Sequence, residues 1–77
     1  MTNVDFVDTR VDEFRDKLPQ MLRQNPRTVA FLQAVSERAG AIVENAAVLG
    51  DAEAAYAKER IAAVLIAFGR ETALRVV

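Results

Sequence analysis

The chain has 77 residues, 52% of them hydrophobic and 27% charged, with a formal net charge of −1. That length holds one small domain, too apolar for disorder and too charged for a membrane span. Cys and His are both absent, which excludes a thiol nucleophile, an imidazole base, a Cys/His zinc site and a disulfide framework.

The first predicted element is a helix over about residues 4–17. Val4, Val7, Val11, Phe14, Leu18 and Met21 recur at alternating intervals of three and four, a stripe along one helix side. Asp5, Asp8, Arg10, Asp12, Glu13, Arg15, Asp16 and Lys17 fill the wet face between them. Pro19 interrupts the pattern, because an interior proline removes a hydrogen bond and costs about 3 kcal/mol. It also biases Leu18 away from helical angles. The expectation is a kink or break there, followed by a short turn of helix over 19–24.

The second helix is expected over 26–49, with Asn25 as its N-cap and Pro26 in the first helical position. On a wheel of about 100° per residue, Val29, Leu32, Val35, Ala39, Ile42, Val43, Ala46 and Leu49 share one side, with Phe31 at its edge. Gly50 supplies the stop through a left-handed conformation, and Asp51 follows as the next N-cap. So short a connection makes the flanking helices antiparallel neighbours.

The third helix is expected over 52–75. Ala54, Ala57, Ile61, Val64, Leu65, Phe68 and Thr72 form its main stripe, and Glu53, Glu59, Arg60, Arg70 and Glu71 mark its solvent side. A second flank, Ala55, Ala62, Ile66 and Ala73, lies between them. The uncharged arc then spans roughly 200°, about twice what one core contact requires. Either the first helix or a second chain must cover the surplus.

Few motifs point to chemistry. Val35 to Ala41, with Gly40, resembles the turn of a helix-turn-helix, but a recognition helix needs polar or basic residues at its start. Here the continuation is Ile42, Val43 and Glu44, which fits a plain amphipathic helix with an internal glycine. The acids Asp5, Asp8, Asp12, Glu13 and Asp16 are interleaved with bases. Spacings such as Asp12 with Arg15 and Glu13 with Lys17 describe a solvated face rather than a cation loop. Tyr56 reads as a packing or rim residue rather than an acid. No arginines group on an apolar face apart from Arg75 near the end. Gly40, Gly50 and Gly69 are isolated, so no phosphate-binding loop is present.

Acids and bases are spread evenly: five against four in residues 1–25, two against two in 26–50, and four against four in 51–77. No block has the basic surplus that nucleic acid or an anionic membrane demands. Asp5 and Asp8 stand where a secretory leader needs a basic start. The uncharged run 61–69 is far short of the roughly 20 residues of a spanning helix, and a cytoplasmic setting is expected.

Together these features predict one all-α domain over 1–77: an antiparallel hairpin of the second and third helices, with the N-terminal helix packed across it. The expected core is Val7, Val11, Phe14, Leu18, Leu32, Val35, Ile42, Ala46, Leu49, Ile61, Val64, Leu65 and Phe68. The function expected is a non-catalytic protein–protein interaction module (adaptor, inhibitor or assembly factor), with a second copy of the chain as partner. Its interface is expected at Ala55, Ala62, Ile66 and Ala73, with no catalytic, cofactor or metal residue. The alternatives are a small transcriptional or nucleic-acid-binding regulator that turns at Gly40, and a small helical enzyme on an anionic metabolite.

Overall fold

Apolar residues spaced three and four apart give each segment a face to bury, and the computed structural model converts all three into helices. It describes the backbone of residues 3–76 and the side chains of residues 3–71. In chain order, α1 is Asn3–Gln24, α2 is Thr28–Leu49 and α3 is Asp51–Val76. No strand occurs among the described residues.

α1 carries the sharpest stripe. Val7, Val11, Phe14, Leu18 and Met21 are all buried, and Val11 and Leu18 have no exposed surface. Pro19 lies inside this helix and does not end it, correcting the expected break. The reason is a comparison of magnitudes. Burial of Leu18 and Met21, either side of the proline, contributes about 1.5–3 kcal/mol each. That matches or exceeds the ~3 kcal/mol cost of the proline, whose ring sits on the exposed side.

The connections differ from expectation in detail. Asn25 does not cap α2; it closes α1 instead. Its backbone N–H donates to the Met21 carbonyl at 2.9 Å and its side-chain amide donates to the same oxygen at 3.0 Å. Pro26 lies outside the helix. Arg27 occupies the N-cap of α2 in extended conformation (φ −81, ψ 135), with no side-chain cap. At the other end Gly50 alone joins two helices. Its N–H donates to the Ala46 carbonyl at 3.2 Å, and its carbonyl accepts from Ala54 N–H at 3.1 Å. Asp51 is therefore the first residue of α3 rather than its cap. Gly50 has φ 156 and ψ 165, not the compact left-handed turn anticipated, but a region open essentially to glycine alone.

The three helices run up, down and up. The Gly50 turn and the Phe31–Phe68 ring contact, with centroids 6.1 Å apart, set α2 antiparallel to α3. Contacts from Asn3 to Glu53, Asp8 to Tyr56 and Asp12 to Arg60 advance together, so α1 is parallel to α3. α1 touches both partners of the hairpin along an elongated body of 40 × 21 × 16 Å.

The core is Val7, Val11, Phe14, Leu18, Met21, Val35, Ala46, Ala57, Ile61 and Val64, with Phe31, Ile42, Val43, Leu65 and Phe68 packed at its margin. Two expected members are not in it: Leu32 is 55% exposed and Leu49 is 40% exposed. Eight apolar residues of α2 occupy more arc than its two neighbours cover. Phe31, expected at the edge, packs on Phe68, and the face turns so that Leu32 is left out.

Candidate functional site

Three features stand out on this scaffold: a polar clasp between α1 and α3, an uncovered apolar face on the α2–α3 hairpin, and a groove between α1 and α3.

The clasp is built from residues one turn apart on parallel helices. Asp8 accepts a hydrogen bond from the Tyr56 hydroxyl at 2.6 Å and another from Arg60 Nε at 3.2 Å. Arg60 Nη2 reaches Asp12 at 3.4 Å. The hydrogen bond to Asp8, followed by desolvation and the nearby negative charge, holds the Tyr56 phenol above its ordinary pKa of 10.0. A phenol held in its protonated form is a donor, and here its donation fixes α1 against α3. Sequence reading missed this because Asp8 and Asp12 were assigned to the wet face. They are half-buried, and their partners lie 48 and 52 positions away. The remaining acids behave as surface groups. Arg15 pairs with Asp12 at 3.6 Å as the spacing predicts, whereas Glu13 meets Arg10 at 3.7 Å rather than Lys17. Among the described residues no group of three acids is placed to hold a metal ion.

The expected interface residues lie on a surface that α1 does not cover. Ala55 and Ala62 are exposed and Ile66 is 58% exposed; the Ala73 side chain falls outside the described residues. On a wheel of about 100° per residue, these positions lie on the flank of α3 away from α1. The shoulder of α2 that lies away from α1 carries Val29, 78% exposed, and Leu32. Because Phe31 meets Phe68, Val29 and Leu32 stand at the same end of the hairpin as Ile66. The spacing of α3 anticipated a surplus apolar flank at Ala55, Ala62 and Ile66, whereas Leu32 was expected in the core. Gly40 lies within unbroken α2, so no helix-turn-helix forms there.

The groove has a volume of about 590 Å3 and runs between the C-terminal half of α1 and the second half of α3. Pro19, Leu22, Ala63, Ala67 and Phe68 line it, and Arg15, Arg23 and Arg60 border it. The sequence showed no such grouping of arginines, because they come from two helices and converge only when α1 and α3 pack in parallel.

No helix among the described residues is long and apolar enough to cross a membrane. No protein-family model, no curated protein and no solved structure matches the chain.

Proposed function

We propose that this chain is a non-catalytic protein–protein interaction module of the cytoplasm that works as a homodimer through the outer face of its α2–α3 hairpin. The observation that carries the reading is Ile66, 58% exposed in the middle of a helix, with Ala62 on its own helix and Leu32 and Val29 on the next. Burial of an isoleucine contributes about 1.5–3 kcal/mol, so this surface is a standing driving force for association.

Two arguments favour a second copy as the occupant. Ala55, Ala62, Ile66 and Ala73 are spaced seven, four and seven apart, which reads the same in both directions. Two α3 helices packed antiparallel about a two-fold axis level with Val64 therefore set Ala62 opposite the partner's Ile66 and Ala55 opposite the partner's Ala73. Such self-complementarity is what an isologous interface requires. The same register brings Glu59 beside the partner's Arg70, an opposite-charge pair at the rim.

The pairing of two hairpins makes a four-helix core with α1 on the outside, a geometry common among helical bundles. Sedimentation velocity at micromolar concentration tests it. The wild-type chain is expected at twice 8.5 kDa, and Ile66→Asp at the monomer mass with its helical circular dichroism retained. A wild-type chain that stays monomeric, or a dimer indifferent to Ile66→Asp, removes the reading.

A further inference from the structure

The groove between α1 and α3 lies on a different side of the molecule from the face assigned to the second copy, and its chemistry is different. Its volume of about 590 Å3 is within the 300–1,000 Å3 of small-molecule sites, which are mostly apolar with a few placed polar groups. The apolar wall comes from Pro19 and Leu22 on α1 and from Ala63, Ala67 and Phe68 on α3. The two alanines leave open the space that larger side chains would fill.

The polar groups at its border are unequal. Arg15 and Arg60 already share Asp12, at 3.6 and 3.4 Å, and Arg60 also holds Asp8. Arg23, in the last turn of α1, has no ion pair among the described residues. A guanidinium holds a carboxylate through paired N–H donors, and Arg23 has that capacity unspent. Among the described residues Glu71 is the single acid on the lining, and with one arginine unpaired the groove has cationic capacity for one negative charge. We propose that this groove is a binding site for a small amphiphilic monoanion, a carboxylate carrying an apolar body of medium-chain length. The body lies on Pro19, Leu22, Ala67 and Phe68, and the carboxylate meets Arg23.

The test is an amide chemical-shift titration of the whole chain with sodium octanoate, kept below its micelle concentration, and with octanol as the uncharged control. Octanoate is expected to give saturable shifts confined to residues 19–23 and 63–68, with octanol binding about tenfold more weakly. Arg23→Gln is expected to weaken octanoate about tenfold, the loss of one charge-assisted contact, and to leave octanol unchanged. Ala67→Glu, at an exposed helical position that tolerates the substitution, is expected to abolish octanoate shifts without loss of helical content. Equal affinities for octanoate and octanol, or indifference to Arg23→Gln, overturn the proposal. So do shifts centred on Val29, Leu32 and Ile66, which would mean simple apolar association. A fall in sedimentation mass as octanoate fills the groove also overturns it, because the groove would then be a contact between copies.

Discussion

Asp8 shows how much one side chain depends on its distant neighbours. Its carboxylate takes the Tyr56 hydroxyl at 2.6 Å and Arg60 at 3.2 Å, so it ties the first helix to the third. Because Tyr56 is held above the ordinary phenol value of 10.0, chiefly by this hydrogen bond, the folded chain favours the protonated ring. The associated stability is fully present below pH 10.0 and is lost as pH rises through the folded pKa. Ultraviolet titration of the single tyrosine should give a midpoint above 10.0 in the native chain. Asp8→Asn should return it toward that value, because the charge-assisted hydrogen bond that holds the proton is weakened and the Asp8 charge that opposes ionisation is gone. Gly40 makes the opposite point. An added Cβ there would meet nothing within 4 Å, and the helix is unbroken through it. Gly40→Ala should stabilise the fold by about 0.5–1 kcal/mol, because alanine has the better helix propensity and loses less backbone entropy. A rise in the urea midpoint would be the readout.

At the scale of the element, α1 and α2 are legible to different degrees, and the cause is geometric. α1 buries one narrow stripe, and Val7, Val11, Phe14 and Leu18 are buried as their spacing requires. α2 is apolar over a wider arc, so its spacing fits several rotations about the helix axis. The packing of Phe31 on Phe68 selects one rotation and exposes Leu32. Proline is the second case. Local preference argues for a break at Pro19, yet Leu18 and Met21 are anchored on either side and the helix continues. The local cost is not erased. Pro19→Ala should raise stability by about 1–3 kcal/mol, the helix-propensity gain less the added freedom of the unfolded chain. Equilibrium urea unfolding would measure it, and a loss of stability would show that the proline relieves rather than imposes strain.

For the whole molecule, size is the controlling quantity. A chain of 77 residues has roughly 4–12 kcal/mol of stability in hand at the usual per-residue value. The burial of Ile66 and Leu32 between copies therefore represents a sizeable share. If the hairpin face pairs as proposed, the thermal midpoint should rise with protein concentration, because association stabilises only the folded state. The same scan on Ile66→Asp should be flat. The parallel packing of α1 on α3 also makes the α1–α3 groove, which no single segment of sequence contains.

The sequence by itself determined three helices, the stop of the second at Gly50, the buried stripe of α1 and the surplus apolar flank of α3. Each of these follows from periodicity or from the backbone preference of a residue type, and both act within a few turns of chain. Tertiary structure alone decided which margin of α2 faces water, that Pro19 is carried within a helix, and that Asp8 and Asp12 meet Tyr56 and Arg60. It also brought Arg15, Arg23 and Arg60 to one groove. Those outcomes depend on how three helices share a limited area of contact, and the contacts join residues about 50 positions apart whose pairing no local spacing encodes.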